Sequence, residues 1–396
     1  MKYKYRQILL LLMFLSPLLV QGQIRLSDEA RFSILTSSPT DEEVFTIYGH
    51  TGIRLNDPVN DMDYVFNYGL FDFSKPNFIY RFAKGETDYK LGGNHFLDYI
   101  IEYQMRGSSV TEQVLNLNPG EKQRIAEALL INMRPENRTY RYNFFFDNCA
   151  TRPVDLVEAY VDGEVVYHHP YQPKTFREMI NYASRNKPWQ TFGCDLALGS
   201  PADRLATQHE EMFLPWYLQE AFDQATIVGT DGTVRKLVSE TNLLVEEIPD
   251  EEIEKEWFTP LVCFWTLFFV VLGITCREWK KGIYYRWLDF LLFFIAGIAG
   301  TVIAFLCFIS EHPSTCPNWM LLSLHPVQLI GAVLFVVKKW KIAGYYYHFI
   351  NFAALTLMLL GWYFIPQHLN AACIPLVGTL WIRSAYGVYR YKSNVE

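Results

Sequence analysis

The distribution of hydrophobic residues divides the chain into two unlike parts. Up to about residue 256, apolar and polar positions alternate over short distances, as in a water-exposed domain. Beyond Trp257 the apolar residues form long runs of about 20 residues, the length that a helix needs to cross the ~30 Å hydrocarbon core of a bilayer. The pattern therefore predicts an N-terminal globular domain followed by an all-α bundle of about five transmembrane helices. The predicted spans are 257–276, 288–310, 319–337, 349–365 and 371–389.

Basic residues between these spans predict the orientation of the bundle. Lys and Arg lie in the connections after the first and third spans and after the fifth, whereas the connections 311–318 and 366–370 contain neither. By the positive-inside rule the basic connections are cytoplasmic. The C-terminus is then cytoplasmic, and the N-terminal domain lies outside the cytoplasm.

The start of the chain supports the same orientation, because residues 1–22 resemble a secretory signal peptide. Basic residues precede a short apolar stretch, and Val20-Gln21-Gly22 offers a cleavage site. An uncleaved anchor is the alternative, and it would also export the domain that follows. The predicted organisation is a signal peptide (1–22), an exported domain (23–245), an acidic linker (246–256) and the membrane domain (257–396).

Local signals in the exported part predict a mixture of strands and helices. Strands at 45–55 and 63–69 flank a turn at 56–61. Asn118-Pro119-Gly120-Glu121 is typical of the start of a helix, which should run to about Met133. Asp231-Gly232 predicts a second hairpin. Strands and helices in this irregular order indicate an α+β domain.

Composition narrows the possible functions. The net charge of −7 leaves no basic surface for nucleic acid, so nucleic-acid binding is excluded as a function class. Of seven cysteines only Cys149 and Cys194 lie in the exported part, which is too few for a disulfide framework. A single bridge between them is the alternative to a reactive thiol.

Six polar residues within or beside the predicted spans are candidates for a role in the membrane, since ionisable groups there are rare without a function. Most of them fall at predicted outer helix ends, where water reaches them. They are Glu311, His312, His325, Asn351, His368 and Asn370.

Cys149 is the main candidate for a catalytic nucleophile. The aromatic stretch 140–146 reads as a strand that leads directly to it, and Pro153 requires a helix that begins close by. A helix N-terminus favours the thiolate through its free N–H groups and its dipole. The same N–H groups are suited to form one side of an oxyanion hole.

A cysteine nucleophile needs a base, and His50 is the candidate. Glycines beside it in the predicted strand allow close approach of other backbone. If the hairpin turn is centred between residues 58 and 59, His50 faces Asn67 at a Cβ separation of about 5 Å. The amide oxygen of Asn67 would then hold the imidazole in one tautomer, the third role in a Cys–His–polar triad.

These residues resemble a known family. His50 in a His-x-Gly-Ile strand, followed later by Asn148-Cys149 at a helix start, is similar to the circularly permuted branch of the NlpC/P60 papain-like superfamily. The segments 66–73, 144–153 and 195–199 resemble the Lnb family of lipoprotein N-acyltransferases more closely. The resemblance implies a permuted NlpC/P60 (papain-like) domain in the periplasm, joined to a transmembrane domain in the bacterial inner membrane.

The resemblance also implies a reaction. His50 would deprotonate Cys149, which would take an acyl chain from a membrane phospholipid as a thioester and pass it to the α-amino group of a diacylated lipoprotein. The expected partners are thus the phospholipid donor, the lipoprotein acceptor and the bilayer, and neither a cofactor nor a metal is expected. Two alternatives remain: a cell-wall amidase that uses the same residues with water as acceptor, and a non-catalytic envelope scaffold with Cys149 bonded to Cys194.

Overall fold

The computed structural model describes residues 24–41, 46–71, 76–248 and 256–393. The predicted signal peptide and most of the predicted linker lie outside these residues. The N-terminal part is a mixed α/β domain with ten strands among the described residues. They are β1 (Arg31–Ser37), β2 (His50–Asp57), β3 (Met62–Leu70), β4 (Asp88–His95), β5 (Val110–Leu115), β6 (Thr139–Arg141), β7 (Glu164–Val166), β8 (Thr226–Val228), β9 (Val234–Lys236) and β10 (Val238–Val245).

Seven strands form one antiparallel sheet in the order β10-β5-β1-β2-β3-β4-β6, and β7, β8 and β9 form a small second sheet. The main core lies where helix α4 packs on the large sheet, with Val154 and Val157 against Phe32, Ile53 and Phe66. The helices of this part are α1 (Phe78–Lys84), α2 (Phe96–Met105), α3 (Pro119–Met133), α4 (Thr151–Tyr160), α5 (Phe176–Ala183), α6 (Pro188–Ala197) and α7 (Pro215–Gln224).

Two of the local predictions are confirmed. Helix α3 begins at Pro119 with a capping box, in which Asn118 accepts from the Glu121 N–H and Glu121 accepts from the Asn118 N–H. The Asp231-Gly232 hairpin is also present, since β8 pairs with β9 in antiparallel register. The predicted α+β class of this part is therefore confirmed.

The register predicted for the first hairpin is wrong. Ile53 pairs with Phe66, so the turn is centred between residues 59 and 60, one residue later than expected. The cause is Asp57, whose side chain accepts from the Asn60 N–H over 3.4 Å and closes a 3₁₀ turn at Pro58–Asn60. The first strand also starts later than predicted, at His50, because Thr46–Tyr48 form a 3₁₀ turn.

The C-terminal part is helical. Four of its helical segments among the described residues are long and apolar enough to cross a membrane: Pro260–Lys281, Arg286–Phe308, Trp319–Val336 and Lys338–Leu360. The third is broken between a 3₁₀ turn at Trp319–Leu322 and helix α10. The α-helices are α8 (Pro260–Lys281), α9 (Arg286–Phe308), α10 (Val327–Val336), α11 (Lys341–Leu360) and α12 (Cys373–Ser393).

Helix α11 of the fourth span begins at Lys341, eight residues before the predicted start of the span at 349. The reason is that His348 is not in a connection but is buried, with its ring stacked on Phe335 at a centroid distance of 4.0 Å. Buried packing on the neighbouring helix extends α11 toward Lys341.

Helix α12 corresponds to the fifth predicted span and carries a buried arginine. Arg383 donates to Asp289 Oδ1 over 2.5 Å and to Thr275 Oγ1 over 2.9 Å, and it forms an ion pair with Glu278. These partners lie on α8 and α9. A charge within this apolar bundle is therefore neutralised by two carboxylates that bind three helices together.

The two parts of the chain are docked through the connections that lack Lys and Arg. The Glu311 N–H donates to the Lys84 carbonyl over 2.8 Å, and Asn370 Nδ2 donates to Asp195 over 2.8 Å. Both connections therefore lie on the side of the N-terminal domain, in agreement with the predicted orientation. A Cys307–Cys316 disulfide ties the end of α9 to the first of these connections. It was not predicted from the sequence, because a bridge was considered only between the two cysteines of the exported part.

Candidate active site

The structure brings together the three residues that the sequence singled out. His50 is the first residue of β2, in the middle of the large sheet, where it pairs with Ser37 of β1. Asn67 lies on the neighbouring strand β3, and Cys149 lies two residues before helix α4. A strand pair and a helix start, all anchored in the main core, thus position the three side chains.

The imidazole of His50 contacts the side-chain amide of Asn67. His50 Nε2 lies 3.1 Å from Asn67 Oδ1. The observed register places Asn67 opposite Gly52 rather than opposite His50, so the predicted contact exists on a diagonal. Gly52 makes this possible, because a Cβ there would lie 3.1 Å from Asn67 Oδ1 and crowd the amide.

The other partner of the imidazole is Cys149. Burial alone lowers the pKa of His50, but the negative charge of the Cys149 thiolate and a hydrogen bond to it raise that pKa above its ordinary value. Burial alone raises the pKa of Cys149. The His50 charge, its hydrogen bond and the backbone N–H groups of Thr51 and Cys149 reverse this and lower it. The raised pKa of His50 and the lowered pKa of Cys149 together favour a thiolate–imidazolium pair.

Asn148 shapes the backbone that carries the thiol. Its Oδ1 accepts from the N–H groups of Ala150 and Thr151 over 2.8 and 2.9 Å, and its Nδ2 donates to the carbonyls of Phe144 and Phe213. The amide is 2 % exposed. The N–H groups of Ala150 and Thr151 are thus bound by Asn148 and are not free to act as oxyanion donors.

Tyrosines surround the thiol. Tyr142 and Tyr89 stack at a centroid distance of 4.1 Å. Burial raises the pKa of Tyr89 to about 12, and the nearby Cys149 charge adds to this effect. Burial and the same charge raise the pKa of Tyr142 well above its ordinary value. Gly69 has a φ of +93°, which favours glycine, and a Cβ there would lie 3.7 Å from Cys149 Cβ and 3.9 Å from Tyr142, so Gly69 borders the thiol.

Cys194 does not bond to Cys149, because both cysteines are free. The Cys194 sulfur lies 3.9 Å from the hydroxyl of Tyr48, two residues before His50. Burial raises the pKa of Cys194. The bridge expected under the scaffold alternative is therefore absent from the described structure.

One group of side chains is close enough to share a metal ion. The ligand atoms of Asp155, Glu158 and His209 lie within 4.8 Å of one another. Glu158 is already engaged, since it accepts from Tyr167 over 2.6 Å and lies 3.2 Å from His209 Nε2. We assign no metal to this group.

The fold and site describe a membrane-anchored protein with a globular domain that holds a cysteine–histidine pair, and comparison with known families identifies its family. Residues 26–182 match the Lnb N-terminal periplasmic domain and residues 252–394 match the Lnb transmembrane domain, about three quarters of the chain in all. The chain belongs to the Lnb family. No curated protein and no solved structure matches it significantly.

The role of Asn148 was not predicted from the sequence. The signal was present, because an Asn three residues before Thr151 and followed by a helical pattern is typical of a cap. The tyrosines around the thiol gave no comparable signal. Their positions on β4 and after β6 become neighbours of Cys149 only through strand pairing.

Proposed function

We propose that this protein is a lipoprotein N-acyltransferase that acts from the bacterial inner membrane, with its N-terminal domain in the periplasm and its C-terminus in the cytoplasm. It would move an acyl chain from a phospholipid, through a thioester on Cys149, to the α-amino group of a diacylglyceryl-cysteine. The observation that carries this proposal is the Cys149–His50–Asn67 arrangement in a domain docked on a membrane bundle.

In the first half-reaction the Cys149 sulfur attacks the carbonyl carbon of a phospholipid ester. The carbon–oxygen bond to glycerol breaks as the thioester forms, and the His50 imidazolium gives its proton to the departing alkoxide of the lysophospholipid. A pKa of His50 above its ordinary value suits this acid role. Asn67 would keep the imidazole aligned throughout.

In the second half-reaction the free amine of the lipoprotein attacks the thioester carbonyl. The neutral His50 accepts a proton from the attacking nitrogen as the amide forms, and the Cys149 thiolate departs. Nucleophile and base return to their starting charges. The same residues would give an amidase if water were the acceptor, so the acceptor distinguishes the two functions.

The membrane bundle supports a lipid donor. Phospholipid esters are nearly absent from water, and tethering the thiol beside the bilayer gives it a high effective concentration of them. Contacts at Glu311 and Asn370 fix the N-terminal domain against the bundle rather than leaving it on a free linker. A hydrophilic cell-wall substrate would not require this docking.

The test is reconstitution of the full chain in phospholipid vesicles with a diacylated lipopeptide. We expect an acyl-thioester on Cys149 and an N-acylated lipopeptide, both detected by mass spectrometry. Cys149→Ala and His50→Ala should each abolish the product, and the double variant should be no worse, because nucleophile and base act as a unit. Cleavage of muropeptides without N-acylation would overturn the proposal.

A further inference from the structure

Helix α1 exposes an apolar face beside the membrane bundle. Ile79 is 83 % exposed, Tyr80 54 % and Phe82 49 %. The basic residues of the same helix are held by the protein, since Arg81 pairs with Asp88 and Lys84 with a neighbouring glutamate. The helix is therefore oriented with its apolar side chains outward, which is unfavourable in water.

The position of α1 explains what covers this face. His312 Nε2 donates to the Phe82 carbonyl over 2.9 Å, which pins the end of the helix to the connection after α9. The ring of Tyr80 lies 5.8 Å from that of Phe305, three residues before α9 ends at Phe308. Phe305 thus lies about one helical turn from the end of α9. Because Tyr80 contacts Phe305, α1 lies at the level of the outer end of this membrane span.

A continuous row of aromatic rings leads from α1 toward the thiol. Phe82 stacks on Phe78 with centroids 6.2 Å apart, and Phe78 on Phe71 with centroids 6.1 Å apart. Phe71 contacts Tyr89 at 5.1 Å, and Tyr89 contacts Tyr142 at 4.1 Å. The row ends beside the candidate nucleophile, because a Cβ on Gly69 would lie 3.7 Å from Cys149 Cβ and 3.9 Å from the ring of Tyr142.

We propose that α1 lies in the membrane interface and that this aromatic row guides the acyl chain of a phospholipid from the bilayer to Cys149. The inference rests on the proposed function, and it adds the route by which the donor reaches the thiol. An acyl chain matches this row in chemistry, because the row consists of apolar aromatic rings. The apolar face of α1 adjoins the outer end of α9, which is a membrane span. This position favours lipid over a protein as the partner of the face.

The first test does not depend on catalysis. The photoreactive residue p-benzoylphenylalanine would replace Ile79 in the full chain, and in a matched control it would replace Val234, which is 64 % exposed on β9. After irradiation in phosphatidylethanolamine vesicles, we expect lipid adducts at position 79 and none at 234. No adduct at 79, or equal adducts at both positions, would overturn the inference.

The second test measures the first half-reaction. The Ile79→Ser, Phe82→Ser variant should form the Cys149 thioester from vesicle phospholipid about tenfold more slowly or worse, because it loses the apolar cover of two side chains. Its acylation by a water-soluble short-chain thioester should equal that of the unmodified chain, which shows that the site is folded.

The two proposals fail in different ways. An unmodified chain that forms no thioester from phospholipid contradicts the proposed function, and the cross-link then still reports whether α1 touches lipid. An unmodified chain that forms the thioester, with a variant that matches its rate on vesicles, contradicts the route alone.

Discussion

The two cysteines of the N-terminal domain differ in the residues around them. Cys149 has a histidine and two backbone N–H groups beside its sulfur, which lower its pKa in spite of burial. Burial raises the pKa of Cys194, and the hydrogen bond to the Tyr48 hydroxyl only partly opposes this effect. Since the thiolate is the reactive species, the surroundings predict two thiols of very different reactivity.

Alkylation should therefore select Cys149. Its lowered pKa keeps thiolate present as the pH falls below the ordinary thiol pKa, so iodoacetamide should label it there well before Cys194. The His50→Ala variant loses the group that lowers the pKa of Cys149, while burial still raises that pKa. Labelling of Cys149 should therefore shift to higher pH. Peptide mass spectrometry across a pH series measures both rates. Equal labelling of the two cysteines at neutral pH would contradict the thiolate–imidazolium pair.

Asn67 orients the base and does not react, so its loss should be milder than the loss of His50. Removing one hydrogen bond to the imidazole should slow thioester formation by about tenfold in Asn67→Ala. The control is Asn132→Ala, which removes an amide that donates to Tyr68 over 3.0 Å, one residue along the same strand. Full activity of Asn67→Ala would show that its 3.1 Å contact with His50 does not matter for the reaction.

At the scale of secondary-structure elements, the start of α4 depends on one buried amide. Asn148 binds two N–H groups of the helix start and two carbonyls, that of Phe144 in the preceding loop and that of Phe213 in a distant segment. It therefore joins the cap of the helix to the loop that presents the thiol. Loss of such a cap typically costs about 1 kcal/mol, and unpaired buried carbonyls add to this.

Asn148→Ala should lower both stability and activity, and Asn118→Ala is its matched control. Asn118 caps α3 with a capping box but does not take part in the site. Both variants should lower the free energy of unfolding by about 1 kcal/mol or more. Only Asn148→Ala should also slow alkylation of Cys149, because its cap sets the thiol backbone. If Cys149 were alkylated at the same rate in the two variants, Asn148 would be a structural cap without influence on the thiol.

Elements with local signals could be predicted from the sequence, and those set by tertiary contacts could not. The four residues that begin at Asn118 are enough to predict the start of α3, and the two residues Asp231-Gly232 are enough to predict the β8–β9 hairpin. The register of the first hairpin failed because Asp57 moved the turn by one residue. The contact of His50 with Asn67 was nevertheless anticipated, since a diagonal neighbour is also within reach in a sheet.

At the scale of the whole molecule, the segment 195–199 joins the two domains. Buried Arg177 donates to the Leu198 and Gly199 carbonyls over 2.9 Å each and to Asp195 over 3.1 Å. The segment in turn meets the bundle, where the Gly199 N–H donates to the Ser314 carbonyl over 2.8 Å. No sequence pattern could reveal the contact with the bundle, because Gly199 and Ser314 are more than a hundred residues apart. The sequence marks this segment only through its resemblance to the Lnb family.

Gly199 and Gly193 offer a matched test of this docking. A Cβ at position 199 would lie 2.5 Å from the Pro317 carbonyl and 2.7 Å from that of Thr315, both backbone atoms, so Gly199→Ala forces the domains apart. A Cβ at position 193, on α6, would meet nothing within 4 Å, and alanine is favoured in a helix.

We therefore expect Gly199→Ala to lose most of its thioester formation from vesicle phospholipid while iodoacetamide still labels Cys149 at the normal rate. The reason is that the site remains intact but no longer lies at a fixed position beside the bilayer. Gly193→Ala should behave like the unmodified chain in both assays. If Gly199→Ala kept its rate on vesicles, the contacts between 195–199 and the bundle would have no part in presenting lipid to the thiol.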